Sequence, residues 1–221
     1  MWQKFFKIAL ILCMVPTIAI AQVIAKVRTL ELNYKNTIIF ETEVSEISVN
    51  VFVRALIGAR DILPAKEKLY VLIVSPGGGY DAGKKLLQFL KKMQNTELIC
   101  KYCASMSGQI FVASGLHRMV IEKSDILMHE MFLPHVTALN ATNKSIINNL
   151  VASSEEFNKV MYTIIGISKE DYMKKITNKS WNVYGNEALK LHLADELIKI
   201  HCDDYVKMLA PQTCNPKKDD E

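Results

Sequence analysis

Long hydrophobic runs are scarce in this 221-residue sequence, and the one near its start falls short of a membrane span. It runs from Ile8 to Ile20 and is broken by Pro16, whereas a helix needs about 20 apolar residues to cross a bilayer. Glycine and proline number only nine and six, which excludes collagen-like and Pro/Gly-rich disordered chains. There is no internal repeat and no low-complexity tract, so a solenoid is excluded too. Charge of one sign is also lacking, with 27 Lys and Arg against 23 Asp and Glu. No basic run is interleaved with aromatics, and a nucleic-acid partner is not expected.

What is present begins with a leader. Lys4 and Lys7 form a basic n-region, Ile8 to Ile20 an apolar core, and Ala19-Ile20-Ala21 puts small residues at a cleavage site. Residues 1–21 therefore read as a secretory signal peptide. The chain is expected to be exported, periplasmic or secreted, and membrane-anchored where that segment stays uncleaved. Removing it takes away two lysines and no acid, so the net charge falls from +4 to about +2. Residues 22–202 suffice for one domain with a sizeable core, and 203–221 read as a polar, loosely ordered tail.

Once Cys13 leaves with the signal, Cys100, Cys103, Cys202 and Cys214 remain. In an exported protein an even count favours disulfides. Three connectivities are open, and Cys202–Cys214, closing the tail, is the preferred pair. Cys100 and Cys103 lie in an apparent strand. An extended chain holds such Cα atoms about 10 Å apart, beyond disulfide reach unless the backbone turns.

Hydrophobic patterning alternates between strands and helices. Strands are predicted at 37–40, 69–74, 98–103, 118–121, 125–129 and 196–200. Helices are predicted at 45–62, 82–93, 106–114, 139–165 and 187–193, with a short one capped by Ser168. The near-continuous apolar run Leu69–Val74 reads as a strand buried on both faces. Together these predict an α/β domain with a largely parallel sheet.

Three short segments carry the chemistry: Ser-Pro-Gly-Gly-Gly at 75–79, Ala-Ser-Met-Ser-Gly at 104–108 and Leu-Met-His-Glu at 127–130. They supply backbone donors for an oxyanion, a hydroxyl nucleophile at a strand-to-helix turn, and an imidazole at a strand end. The segments 70–83, 103–115 and 126–130, with Glu187-Ala188 and Leu193-Ala194-Asp195 downstream, resemble the Clp-type serine peptidases. The resemblance implies a ClpP/crotonase-like fold of repeated ββα units with a protruding long helix. It places Ser105 at the nucleophile, His129 at the general base, and the N–H groups of Gly78 and Met106 at the oxyanion hole. It implies a homo-oligomer acting on peptides or unfolded proteins. No cofactor or metal is expected, and no ATP-driven unfoldase, since an exported chain has no ATP supply.

A carboxylate is missing where the resemblance places the third catalytic member. The window Thr177-Asn-Lys-Ser-Trp-Asn182 contains none, and Asn178, Lys179 or Ser180 falls at the spot. Asp125 shares a strand with His129 but sits about 13 Å along it, too far for a hydrogen bond to the imidazole. Either Asn178 or Ser180 orients His129, or Ser105 and His129 act as a dyad, or the site is degenerate. Asn178 is taken as the third member. The leading reading is an exported serine endopeptidase. The rivals are a catalytically degenerate binding or scaffold protein and a crotonase-like acyl-CoA enzyme.

Overall fold

Segments that are apolar at every position become central strands, because alternate side chains then have a core to enter on either face of the sheet. The computed structural model describes residues 27–131 and 141–214. Leu69–Ser75 (β3) shows the rule. Val71 and Ile73 join the main core, while Tyr70 and Leu72 join a second, smaller cluster on the opposite face. Flanking β3 are β2 (Thr37–Phe40) and β4 (Thr96–Ala104), both parallel to it. Beyond β4 comes β5 (His117–His129), and β5 is followed by β7 (Glu196–Cys202) and β1 (Arg28–Leu32). The short β6 (Ser180–Tyr184) adds antiparallel to the upper half of β5. The strand order β1-β7-β5-β4-β3-β2 is otherwise parallel, as the alternating pattern predicts.

Helices follow the strands. Helix α1 (Glu46–Ile62) starts at Ser45, which forms a capping box with Ser48. Helix α2 (Tyr80–Leu90) begins two residues earlier than predicted, directly at the glycine turn. Helix α3 (Met106–Ala113) follows β4 at once, and α4 (Ala141–Ile165) is the long helix. Gly166 ends α4 with φ +76°, and Ser168 caps α5 (Lys169–Ile176) by accepting from the Asp171 N–H at 3.1 Å. Helix α6 (Gly185–Lys190) is shorter and earlier than the predicted 187–193.

Several expectations change. Residues 118–121 and 125–129 belong to one strand, β5, whose pairing with β4 jumps from Val120 to Asp125. The buried Ser124 hydroxyl ties down that excursion, donating to the Cys100 carbonyl at 2.5 Å and accepting from the Ile121 N–H at 2.8 Å. Strands β1 and β6 were not anticipated, since each is five residues long and gains its order from pairing. Residues 204–214 are not a loose tail but two helices, α7 (Asp204–Leu209) and α8 (Pro211–Cys214). Asp203 caps α7, Val206 is buried in the smaller cluster, and the expected Cys202–Cys214 disulfide closes the segment. Cys100 and Cys103 are also joined, against the extended-strand expectation. A bulge at Lys101 brings their Cα atoms to 5.9 Å. The signal region 1–21, the start of the predicted 139–165 helix and the last tail residues lie outside the described residues. Among the described residues no helix is long and apolar enough to cross a membrane.

An ionic cluster binds β1, β5 and β7 at the end of the sheet where β5 begins. Arg28 pairs with Glu196 at 2.8 Å, His117 Nε2 lies 3.1 Å from Glu196, and Arg118 grips Asp195 through side chain and backbone. The Arg28 hydrogen bond holds the Glu196 carboxyl below the usual range. Burial would raise Asp195, but the Arg118 hydrogen bonds outweigh it and hold that carboxyl low as well. Folded values below the unfolded ones stabilise the fold above about pH 4.5, and this is lost as pH falls through the folded values. Urea unfolding is expected to show that loss between pH 5 and pH 3, blunted in Glu196→Gln and Asp195→Asn; an equal acid sensitivity in both variants would contradict it.

Candidate active site

Ser105 sits at the junction of β4 and α3, in a conformation that few L-residues adopt. Its φ of +54° and ψ of −123° turn the chain sharply from strand to helix. The turn is held on both sides. The Ser105 N–H donates to the Leu127 carbonyl of β5 at 2.8 Å. Below it, the buried Ser107 hydroxyl lies 2.8 Å from both the Ser75 and Ala104 carbonyls, tying the ends of β3 and β4 together. Ser107 is therefore a strut rather than a second nucleophile. Met106, the first residue of α3, has an N–H with no carbonyl one turn back to accept it. Its side chain is seated against Gly83 of α2, where an added Cβ would collide with the Met106 Cγ and Cε.

The glycine turn is strapped in place by Val44. The Val44 N–H donates to the Gly77 carbonyl and the Gly79 N–H to the Val44 carbonyl, both at 2.7 Å. In such a parallel bridge the middle residue directs its own N–H to the other side. Val44 follows β2, so the Gly78 N–H faces the β4 side, where Ser105 stands. Gly77 (φ +90°) and Gly78 (φ +146°) take backbone shapes open to glycine. The buried Ser75 hydroxyl sets the approach, donating to the Thr42 carbonyl and accepting from the Gly77 N–H. Sequence reasoning named the glycines but missed Val44 and Ser75, whose roles depend on a contact across more than thirty positions.

His129 closes β5, two residues beyond the Leu127 that accepts from Ser105. Its Nδ1 lies 2.6 Å from the Glu130 carbonyl. A carbonyl only accepts, so Nδ1 carries the proton and Nε2 presents the lone pair. Among the described residues no hydrogen bond joins the Ser105 hydroxyl to the His129 ring. Catalytic contacts of this kind often tighten only when substrate binds.

The third position resolves into two neighbours. Ser180 is paired directly opposite His129 across the β5–β6 ladder. Asn178, at φ +57°, shares with His129 a cavity of about 630 Å³ that Glu130, Met131, Ile176, Lys179 and Ser180 also line. The acceptor at Nδ1 is the Glu130 carbonyl and neither of those side chains. Asp125 is engaged elsewhere, accepting from the Asn182 amide at 3.0 Å on the same sheet face. Among the described residues no group of three His, Cys, Asp or Glu side chains is arranged to hold a metal.

Ser105 and His129 thus stand at the ends of the neighbouring strands β4 and β5, and the glycine turn ends β3 on the other side of β4. In comparisons with known proteins, no curated protein matches the chain. The family model described as Clp protease matches residues 22–201.

Proposed function

The chain belongs to the Clp protease family, and on that footing we propose that it is a serine endopeptidase that cleaves peptides or unfolded protein segments through a Ser105–His129 centre. The Ser105 Oγ attacks the peptide carbonyl while His129 Nε2 takes its proton. The N–H groups of Gly78 and Met106 hold the resulting oxyanion, each worth about 3 kcal/mol of barrier. The imidazolium then gives its proton to the leaving amine. Water, deprotonated by the same nitrogen, releases the acyl group from Ser105. The Glu130 carbonyl keeps Nδ1 protonated throughout, and Asn178 lines the cavity beside the ring as the expected third member.

One observation supports this reading above the others. Ser105 keeps a strained backbone at a helix start, a cost that a plain capping serine would not require. A scaffold that had lost its chemistry has no need of it. Export, through residues 1–21, belongs to the same proposal and gives the protein a place where peptides are degraded without ATP. A homo-oligomer is expected from the family.

The test is labelling with a fluorophosphonate probe. The wild-type chain is expected to label at Ser105, Ser105→Ala to lose all labelling, and His129→Ala to label far more slowly. A folded, assembled wild-type chain that takes no probe would move the reading to a binding protein.

A further inference from the structure

The level at which Ser105 leaves β4, between the glycine turn and the end of β5, depends on an irregularity in β4: it carries one residue more than β3 at a point where β5 makes a longer excursion of its own. On the β3 side, Ile73 faces Cys100 while Val74 faces Tyr102, so Lys101 is left unpaired. On the β5 side, the register breaks at the same place, from Cys100 opposite Val120 to Tyr102 opposite Asp125. Downstream of this bulge, Ser75 lies opposite Cys103 and Ala104 opposite Leu127. Continued by one and two residues, those pairings put Ser105 beside the glycine turn that follows Ser75 and one residue short of the level of His129. Without the extra residue, a strand shifts by about 3.3 Å and presents every side chain to the other face.

The Cys100–Cys103 disulfide brackets that bulge. Its two residues are the last before and the second after Lys101, and both are fully buried. The 5.9 Å between their Cα atoms is a distance the extended strand does not reach. Cys103 is two residues from Ser105. The other disulfide, Cys202–Cys214, lies on the far side of the sheet beside α7 and α8 and touches none of this.

We propose that the Cys100–Cys103 disulfide is a positioning element for the nucleophile, holding the β4 bulge in the register that aligns Ser105 with the oxyanion turn and His129. This rests on the reading of Ser105 as nucleophile. The disulfide touches no substrate; it acts through the backbone of Tyr102–Ala104. A misplacement of the order of 1 Å costs as much as about 10²-fold in rate, so the oxidised chain is the competent form.

The experiment compares the wild-type chain with Cys100→Ala/Cys103→Ala and with Cys202→Ala/Cys214→Ala, at matched folded fractions. Two quantities are read: the fluorophosphonate labelling rate, and hydrogen exchange at the Ser105 amide, whose bond to the Leu127 carbonyl reports the register directly. The first pair is expected to label about tenfold more slowly or worse and to exchange the Ser105 amide faster. The second pair is expected to lose thermal stability and keep both readings. Should the alanine pair fail to fold, Cys100→Val/Cys103→Ala refills the buried volume and serves instead. Wild-type labelling and Ser105 protection retained in the folded first pair would overturn the proposal. A wild-type chain that never labels would sink the peptidase reading instead. The exchange arm then decides the positioning role alone, with faster exchange upholding it and unchanged exchange overturning it.

Discussion

His129→Ala is expected to lower peptide turnover by about 10⁴- to 10⁶-fold, with the loss in kcat and little change in KM. In the proposed mechanism the ring contributes where the serine proton is in flight, so its removal is expected to be felt in the transition state rather than in binding. By contrast, Asn178→Ala and Ser180→Ala are expected to cost about tenfold or less. The reason is the proton on Nδ1. A triad acid matters largely because it fixes the imidazole tautomer, and here the Glu130 carbonyl at 2.6 Å already does so. What the neutral carbonyl cannot supply is charge stabilisation of the imidazolium. Steady-state kinetics on a fluorogenic peptide would settle the ranking. If Asn178→Ala cost as much as His129→Ala, the amide rather than the carbonyl would be the group that orients the ring.

Gly77→Ala is expected to abolish labelling and to destabilise the fold by about 3 kcal/mol or more. The new Cβ would stand against the Ala104 carbonyl, 2.7 Å from the Ser105 Cβ and 2.9 Å from the Met106 nitrogen. None of these can move without displacing Ser105 or the Met106 N–H, the proposed nucleophile and oxyanion donor. The positive φ of +90° adds backbone strain that no rotamer relieves. Gly58, on the exposed face of α1, is the matched control. An added Cβ there meets nothing within 4 Å, so Gly58→Ala is expected to stabilise by about 0.5–1 kcal/mol. Urea denaturation of both variants tests the pair. A Gly77→Ala chain as stable as wild type would show that the turn is looser than its contacts imply.

The candidate site was legible in the sequence where its parts are contiguous. Gly77–Gly79, Ala104-Ser-Met and Met128-His129 each sit at the end of an apolar strand, and strand ends are marked by local composition. For the same reason β3, β4, α1 and α5 fall close to where patterning puts them. Strand β6 was not legible, because Ser-Trp-Asn-Val-Tyr has no length or run to announce it. Only its pairing with β5 makes it a strand, and that pairing brings Ser180 opposite His129.

The two disulfides divide along the same line. Cys202–Cys214 was foreseeable because a polar segment separates the two residues and can loop back. Cys100–Cys103 is within reach only if the backbone turns, and ideal strand spacing gives no sign that it does. Lys101 carries no mark of a bulge in its identity; it is unpaired because β3 continues its ladder past it without a break while β5 leaves the ladder at Ile121–Ser124 and rejoins at Asp125.

The order of the glycine turn, the serine and the histidine, and with it membership of the Clp protease family, was determined by the sequence alone. Such segments depend on short-range stereochemistry: glycine where φ is positive, a serine at a strand-to-helix turn, apolar runs that bury on both faces. The acceptor on His129, the strap from Val44 to the glycines and the register of Ser105 were decided by the tertiary structure. Each depends on which distant backbone groups face one another, and a hydrogen-bonded ladder settles that by pairing, not by residue type.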